Sequence, residues 1–347
     1  MVDYLIIGAG LAGISFAETA LRNGKKISVI DSGQDSSSKV AAGLYNPVVL
    51  KRFTPVWDAQ NQLLALNDFY NNLESKLDRQ FDFKIPILRK FCSIEEQNNW
   101  FIAGDKIELA PFLSTDLRIE NFHGIDSPFD FGEVMATGYV DVSSLLKSYR
   151  RFLEDAGAYA VCDFDYRALL VQKDKIHYNN IIARHVIFAE GFGMHNNPFF
   201  NNLPLDGVKG ELFIIKAPLL DLDVIVNTSV FILPLGDHLF KVGATYNWTD
   251  KTSTPTQEGK QELIDRIKEI LTCEFEIISH YAGVRPTVKD RKPLVGTHPE
   301  FKNIHVLNGL GTRGVMLGPS MAKALFEFIE DGVPLVPEIN INRFRKK

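Results

Sequence analysis

The first residues of the chain carry a glycine pattern that restricts what the rest can fold into. Residues 3–13 read DYLIIGAGLAG, a short apolar run followed by three glycines in the spacing G-x-G-x-x-G, namely Gly8, Gly10 and Gly13. Apolar residues at helical spacing follow as far as Gly24, and a second apolar run ends in Asp31. Strand, glycine turn, helix, strand and acid is the order of a dinucleotide-binding βαβ unit; the alternative is an ordinary strand–turn–helix with a glycine-rich turn.

Each glycine of this pattern has a physical reason. Gly8 permits a tight turn off the strand, Gly10 lets a pyrophosphate approach the backbone, and Gly13 lets helix and strand pack closely. The phosphates would lie at the helix N-terminus, where free N–H groups point at them. Asp31 lies 18 residues after Gly13, the distance expected for a carboxylate that binds ribose hydroxyls. The stretch alone does not choose between NAD and FAD. The cofactor contacts predicted here are Gly8, Ala9, Gly10, Leu11, Ala12, Gly13, Asp31 and Ser32.

Length and composition limit the class of protein. A chain of 347 residues is long enough for about two domains. The net charge of −5 gives no support to nucleic acid or an anionic membrane as a partner. The three cysteines are scattered without metal-site spacing, and we interpret them as reduced, buried thiols. Since no signal peptide and no apolar run of about 18 residues is found, the cytoplasm is the expected location.

Beyond the first unit, the pattern indicates two interleaved domains. We predict helices over 57–79, 141–156 (capped by Asp141 or Ser143), 256–272 and 319–331, the last preceded by a glycine-rich loop over 308–318. Residues 32–47 are predicted to form a loop and 83–139 to be strand-rich, with apolar pieces at Ile85–Leu88, Phe91–Ile94 and Leu117–Ile119. The predicted dinucleotide-binding domain takes 1–81, 140–205 and 280–347, and the second domain takes 82–139 and 206–279. The predicted fold class is α/β with α+β: a Rossmann-type domain interleaved with one built on a mostly antiparallel sheet.

Four stretches carry a resemblance to a known family. They are IIGAGLAG at the start, HVIFAEGFG in mid-chain, AGVRPTVKDRKPLVG, and NGLGTRGVMLGPSMAKAL near the end. In this order the chain resembles the FAD-dependent amine and D-amino-acid oxidoreductases, the group that contains glycine oxidase, sarcosine oxidase and D-amino-acid oxidase. The stretch AAGLYNP is also similar to the FAD domain of the tRNA 5-methylaminomethyl-2-thiouridine biosynthesis protein.

This resemblance implies FAD as the cofactor of a Rossmann-type FAD-binding domain. Residues 286–296 contain no counterpart of the cysteine that bonds flavin in sarcosine oxidases, so non-covalent FAD is expected. Tyr166 is expected near the adenine. Glu190 replaces the small residue that is usual beside the phosphates, where its charge is unfavourable unless it points away. The further implied cofactor contacts are Ala42, Gly43 and Leu44 beside the isoalloxazine ring, Glu190 and Gly191 after the mid-chain strand, and Gly309, Gly311, Thr312, Arg313, Gly314, Val315 and Met316 at the last loop and helix.

The same resemblance implies a substrate site. Arg285 matches the arginine that holds the substrate carboxylate, a role that suits its planar, bidentate fork; a surface or interdomain ion pair is the alternative. Arg313 is a candidate second carboxylate contact or else a solvated side chain. Tyr246 is a candidate hydrogen-bond partner of the substrate, with Trp248 and Tyr281 as rivals, although a core role is open for all three. His280, His298 and His305 are interpreted as structural.

The first hypothesis is therefore a FAD-dependent oxidoreductase that oxidises the C–N bond of a small amino acid or N-substituted glycine, by hydride transfer to flavin N5. Its electron acceptor would be O₂ or another carrier. A second hypothesis keeps this chemistry but acts on a carboxymethylaminomethyl group of tRNA. A third is a flavoprotein without amine turnover. The sequence gives no indication of an oligomeric state.

Overall fold

The structure is a computed structural model that describes residues 1–34 and 36–345. Position 35 of the predicted loop 32–47, and positions 346 and 347 of the predicted cofactor domain, lie outside the described residues. The strands are β1 (Val2–Ile7), β2 (Ile27–Asp31), β3 (Leu44–Tyr45), β4 (Val48–Val49), β5 (Thr54–Pro55), β6 (Asp82–Lys84), β7 (Ile87–Lys90), β8 (Leu113–Arg118), β9 (Phe131–Val134), β10 (Gly138–Val140), β11 (Tyr159–Val161), β12 (Leu169–Val171), β13 (Ile176–Tyr178), β14 (Ile181–Phe188), β15 (Leu205–Lys216), β16 (Ile225–Asn227), β17 (Phe231–Gly236), β18 (Leu239–Gly243), β19 (Glu276–Val288), β20 (Leu294–Thr297) and β21 (Ile304–Asn308). The helices are α1 (Leu11–Arg22), α2 (Ser37–Val40), α3 (Ala59–Leu77), α4 (Ile94–Gly104), α5 (Val142–Asp155), α6 (Gln257–Lys268) and α7 (Gly314–Glu330).

The first sheet is built around two central parallel strands, β1 and β14. Strand β1 pairs in parallel with β2 and β14, and β11 continues the sheet beyond β2. On its far side β14 pairs with β13 near its start and with β21 near its end. The apolar run Tyr4–Ile7 is almost fully buried, as expected of a parallel strand covered on both faces.

Helices α1 and α7 pack together beside this sheet. A Cβ atom at Gly318 would lie 2.6 Å from Ser15 Oγ, and one at Gly314 would lie 2.9 Å from Leu11 Cδ1. The absence of side chains at these two glycines lets the helices approach closely, which joins the N-terminal glycine turn to the C-terminal loop.

The second sheet has the strand order β19-β15-β18-β17-β16-β7-β9-β8. Its neighbours are antiparallel except β16 and β7. Leu263 and Ile267 of α6 pack against one face, with Phe213 and Ile215. On the other face Gly283 lies against α2, since a Cβ there would meet Val40 Cγ2 at 2.5 Å. This contact brings the second sheet to the first domain.

The predicted fold class is confirmed. The helices predicted over 57–79, 141–156 and 256–272 correspond to α3, α5 and α6, and Asp141 is the cap of α5, accepting a hydrogen bond from Ser144 N at 3.1 Å. The domain boundaries stay a prediction. Strand β19 crosses the boundary that we placed at residue 280 and pairs with β15 along its length.

Two predictions on local structure are wrong, one within the strand-rich stretch 83–139 and one within the loop 32–47. Residues 94–104 form α4 rather than strand, because Ser93 caps a helix there and accepts a hydrogen bond from Glu96 N at 3.1 Å. The predicted loop 32–47 contains α2 and β3. The serine and acid spaced S-x-x-E were a readable signal for α4.

The last helix also begins earlier than predicted. It starts at Gly314 and contains Pro319, whereas residues 308–318 were predicted to be a glycine-rich loop before a helix that starts at 319. Proline has no N–H to donate to the carbonyl of Val315, four residues before it. Tyr70 Oη donates to that carbonyl instead, at 3.1 Å.

The interpretation of all three cysteines as buried is wrong. Cys92 and Cys162 are exposed and Cys273 is partly exposed, and all three are free thiols. All three lie at bends between elements, and only Cys273 packs against a hydrophobic cluster. In the part of the chain that the structure describes, no helix is long and apolar enough to span a membrane.

Candidate active site

The N-terminal turn is too tight for any side chain at two of its glycines. A Cβ at Gly13 would lie 1.8 Å from Gly8 O, and one at Gly8 would lie 2.5 Å from Ala189 O. Gly8 also has φ +101°, a backbone conformation that favours glycine. These contacts fold the turn between β1 and α1 tightly against the end of β14.

Beyond this turn, the start of α1 presents unpaired donors. The first intrahelical hydrogen bond is from Ile14 N to Gly10 O, at 3.0 Å, so Ala12 N and Gly13 N have no intrahelical acceptor. Leu11 N donates to Ser38 Oγ of α2 at 3.2 Å. A Cβ at Gly10 would meet only Ser38 within 4 Å, so the backbone is open to a ligand there. This arrangement suits an anionic pyrophosphate.

Asp31 lies at the end of β2, beside this turn. Its Oδ2 accepts from Ala9 N and its Oδ1 from Gly33 N, both at 2.8 Å. The neighbouring Tyr159 phenol has its pKa raised to about 12 by burial and by the Asp31 charge. Each carboxylate oxygen retains a lone pair, so Asp31 can still accept hydrogen bonds from a ribose diol. Ser32 is exposed next to it.

Glu190 turns its carboxyl away from the N-terminal glycines. Tyr166 Oη donates to its Oε1, and Asn197 Nδ2 donates to its Oε2 at 2.6 Å. Burial raises the pKa of this carboxyl, although both donors oppose the shift. Both carboxyl oxygens are therefore held by side chains of the protein, which is the orientation that the sequence required of a charge at this position.

Asn308 is a linking residue that the sequence analysis missed. Its Nδ2 donates to Gly191 O at 2.9 Å and its Oδ1 accepts from Gly309 N at 2.8 Å. The side chain is almost fully buried. It therefore ties the turn after β14 to the loop before α7, and its place at the end of an apolar strand before a glycine was the available signal.

The C-terminal loop approaches the N-terminal turn, but not through every predicted contact. Gly309 and Gly311 have positive φ, and Thr312 is exposed. The side chains of Val315 and Met316 are buried in the core with Leu11. Leu11, Val315 and Met316 could contact a cofactor only through their backbone.

The segment predicted to flank the isoalloxazine ring lies between the two sheets. A Cβ at Gly43 would lie 1.9 Å from Val140 O, which fixes the backbone of the segment that includes Ala42 and Leu44. Lys241 of β18 donates from Nζ to Ala41 O at 3.4 Å, and burial lowers its pKa. The sequence analysis missed Lys241, because a lysine in an alternating strand is typical of a solvent-facing position.

Arg285 lies on β19 and extends over the neighbouring strand β15. Its Nη1 donates to Thr245 O at 3.2 Å, and a Cβ at Gly210 would lie only 1.9 Å from its Nη2. Burial lowers its pKa, although the Tyr246 phenol opposes this shift. Within residues 1–34 and 36–345, no carboxylate lies within 4.0 Å of the guanidinium. Arg285 is thus a half-buried cation without an acidic partner in the described chain.

Tyr246 lies beside Arg285, and Arg313 lies near Tyr246. The Arg285 Cζ atom is 4.8 Å from the centroid of the Tyr246 ring. Burial lowers the pKa of Arg313; the Tyr246 phenol raises it and the charge of Arg291 lowers it. The structure therefore stacks Arg285 on Tyr246 and places Arg313 where the same phenol acts on its charge.

The three aromatic candidates are exposed, and two of the histidine candidates have protein partners. Tyr246, Trp248 and Tyr281 are 59%, 52% and 43% exposed, so a core role is wrong for all three. His280 Nε2 lies 2.7 Å from the Glu211 carboxylate, and His305 is buried beside His185. Among the described residues no group of three or more His, Cys, Asp or Glu side chains could hold a metal ion.

These features fit the ADP moiety of FAD. Open N–H groups at α1 suit the pyrophosphate, and the Asp31 carboxylate suits a ribose. The loop at Gly311 lies against Thr287, on the strand that carries Arg285.

A family model matches most of the chain. The model of FAD dependent oxidoreductases named DAO matches residues 3–328. Glycine oxidase of Bacillus subtilis (strain 168) is 24% identical over 94% of this chain and 92% of that protein. A tRNA 5-methylaminomethyl-2-thiouridine biosynthesis bifunctional protein of Legionella pneumophila (strain Corby) is 22% identical over 96% of this chain but only 55% of its own length.

Solved structures show the same fold. Iminodiacetate oxidase from Chelativorans sp. BNC1 superposes with a TM-score of 0.78 at 18% identity, over 97% of this chain and 98% of that one. Glycine oxidase from Bacillus cereus ATCC 14579 gives a TM-score of 0.76 at 20% identity, over 96% of both chains.

Proposed function

Because the chain belongs to the DAO family of FAD-dependent oxidoreductases, we propose that it oxidises the C–N bond of a small amino acid or an N-substituted glycine. The observation that carries this proposal is the Arg285 guanidinium, half-buried and without an acidic partner in the described chain. Glycine oxidase and iminodiacetate oxidase, by their names, act on amino acids with a carboxylate next to the amine carbon.

Arg285 would bind that carboxylate. Among the described residues only Thr245 O accepts from one of its five N–H donors. The planar fork can therefore bind a carboxylate through two hydrogen bonds, and the missing side chain at Gly210 leaves room for the guanidinium above β15. Anchoring the carboxylate fixes the orientation of the adjacent amine carbon, which is worth more to the rate than simple binding.

FAD, when bound, supplies the two-electron acceptor for the C–H bond next to nitrogen. The chain's part is to hold and orient the substrate, and no carboxylate of the described residues lies within 4.0 Å of Arg285 to compete with the substrate for it. The turn at α1, Asp31 and the loop before α7 would hold the cofactor without a covalent bond.

An anaerobic spectral titration tests this function. The purified protein should be yellow, and its visible flavin absorbance should bleach with at least one of glycine, sarcosine, N-ethylglycine or a small D-amino acid. Arg285→Gln should remain yellow but require far higher substrate concentration, whereas Arg151→Gln, at an exposed helix position, should behave like the parent. A yellow protein that bleaches with none of these amines would be a flavoprotein without this turnover.

A second candidate substrate is a carboxymethylaminomethyl group on tRNA. The observation that favours it is the exposed pair Tyr246 and Trp248, because exposed aromatic rings beside cations can stack on nucleotide bases. Its test is the same titration with modified tRNA and with the free modified nucleoside. Bleaching by tRNA at a concentration at which the nucleoside is inert would favour this substrate over small amino acids.

A further inference from the structure

Two further arginines, Arg313 and Arg291, lie near the end of the strand that carries Arg285. Arg313 follows Gly311, and a Cβ at Gly311 would lie 3.9 Å from Thr287 Oγ1. Thr287 is two residues beyond Arg285 on β19 and so shares its face of the sheet. The loop that carries Arg313 therefore packs against the same strand face as Arg285, next along the strand toward the surface.

Arg313 has no counter-charge from the described protein. Its side chain makes no hydrogen bond and no ion pair with residues 1–34 or 36–345. The nearby charge of Arg291 acts on it unfavourably, and burial adds to that effect. Two neighbouring cations of like charge are expensive to hold together unless an anion lies between them.

The turn from β19 to β20 cannot supply this anion. Its one acid, Asp290, accepts a hydrogen bond from Arg343 Nε at 2.8 Å. Three of its other side chains, Lys289, Arg291 and Lys292, are cations, and Lys292 Nζ lies 4.3 Å from the centroid of the Trp57 ring. Arg291 is exposed at φ +58°, a left-handed conformation that turns the chain sharply here. We call Arg291 and Arg313 the outer cations.

We propose that the substrate carries a second anionic group, a carboxylate beyond the amine, and that the outer cations bind it while Arg285 binds the first carboxylate. The ligand class is an amino- or iminodicarboxylic acid. A single carboxylate held bidentately by Arg285 would leave Arg313 without a counter-ion, whereas a dicarboxylate satisfies both arginines at once. That the bound dicarboxylate is oxidised at its amine rests on the proposed function. That the arginines bind two carboxylates can be tested without it.

A binding experiment without turnover tests the charge requirement. Oxydiacetate and methoxyacetate lack an amine and differ by one carboxylate, and their binding to the FAD-loaded enzyme can be measured by calorimetry. We expect the diacid to bind about 10- to 100-fold more tightly, the worth of one charge-assisted contact. Arg313→Gln should remove most of this difference, and Arg291→Gln part of it, while Arg151→Gln should keep it. Equal affinity for both acids, or a preference that survives Arg313→Gln and Arg291→Gln, would overturn the proposal.

A turnover comparison separates this inference from the proposed function. Iminodiacetate and its monoamide have nearly the same shape, and kcat/KM should favour the diacid by about 10-fold or more. In Arg313→Gln the value for the diacid should fall to that of the monoamide, and the value for the monoamide should hold. Tight oxydiacetate binding without oxidation of any amine would overturn the proposed function and leave the dicarboxylate site standing. Oxidation of both amines at equal kcat/KM would overturn the dicarboxylate site and leave the proposed function standing.

Discussion

The guanidinium of Arg285 stacks on the ring of Tyr246, with 4.8 Å between Cζ and the ring centroid. The tyrosine is 59% exposed, so its ring lies at the surface of the protein rather than in the core. One face of the guanidinium is thereby covered by an aromatic ring while its edge stays available to a carboxylate. The stack limits the guanidinium to orientations in which its edge faces the cleft.

Replacement of Tyr246 tests that stack. Tyr246→Leu should weaken binding of a carboxylate inhibitor about 3- to 30-fold, because a cation–π contact of about 0.5–2 kcal/mol is lost. Tyr246→Phe keeps the ring and should bind the inhibitor almost as the parent does, if the hydroxyl makes no contact with it. Inhibitor titration of the flavin spectrum measures both. Parent-like binding by Tyr246→Leu would show that the ring does not orient Arg285.

The N-terminal glycines should differ in what they tolerate. In Gly13→Ala the new Cβ would lie 1.8 Å from Gly8 O, so the turn cannot form and we expect little folded, FAD-containing protein. Gly10→Ala meets only Ser38 Oγ at 3.1 Å, so it should fold but bind FAD about 10-fold or more weakly, a loss of about 1.4 kcal/mol. Bound FAD per protein measures this, with Arg151→Gln, at an exposed helix position, as control. Full FAD content in Gly10→Ala would place the pyrophosphate elsewhere.

Glu190 should make stability fall as the pH rises. Burial raises the pKa of this carboxyl in the folded protein above the value of about 4.3 for an unfolded chain. Between those two values the folded state binds more protons than the unfolded state, so the free energy of unfolding decreases with increasing pH. Glu190→Gln lacks this titration, and its amide can still bond Tyr166 and Asn197.

Urea unfolding of the parent and Glu190→Gln between about pH 4 and pH 8 measures the effect. The stability of the parent relative to the variant should decline as the pH rises and then level off. A relative gain of the parent with rising pH would mean that the two hydrogen bonds keep Glu190 ionised.

Tyr70 and Pro319 should be energetically coupled through one carbonyl group. Tyr70→Phe leaves Val315 O without a donor and should lower the free energy of unfolding by about 1–3 kcal/mol. In a Pro319→Ala background the new N–H can donate to Val315 O, so the same change at Tyr70 should cost less. A double-mutant cycle by urea unfolding gives the coupling. Equal costs in both backgrounds would contradict this account of the helix.

Local patterns determined the parts of the fold that the sequence predicted well. The turn at Gly8 and Gly13 and the long amphipathic helix over residues 59–77 follow from residue spacing within one element, so periodicity was sufficient. Helix α4 was missed since its apolar residues are few, and its boundary depends on one serine cap. The start of α7 was missed because Tyr70, some 245 residues away, satisfies the carbonyl that proline leaves unpaired.

The candidate site follows the same division. Arg285 was predicted by resemblance to a family, and Arg313 and Tyr246 were proposed from their positions in the sequence. The structure stacks Arg285 on Tyr246. The contacts of Asn308 and Lys241 were not predictable, because each reaches a partner from another part of the chain. That Glu190 would bond Tyr166 and Asn197 likewise depends on tertiary packing, so its orientation could not be read from its neighbours in sequence.

The central claim is that Arg285 holds the substrate carboxylate. Its most direct test is a double-mutant-type cycle that changes the Arg285 side chain and the substrate carboxylate, each alone and both together. Anaerobic reduction of the flavin is followed by stopped flow with an accepted amino acid and its carboxamide, for the parent and Arg285→Gln. For the parent, we predict that the rate constant of flavin reduction divided by the substrate dissociation constant is about 100-fold or more higher with the acid than with the carboxamide. In Arg285→Gln this ratio should be nearly equal for the two substrates. A preference for the acid that survives in Arg285→Gln, in a variant with full FAD content, would contradict the assignment.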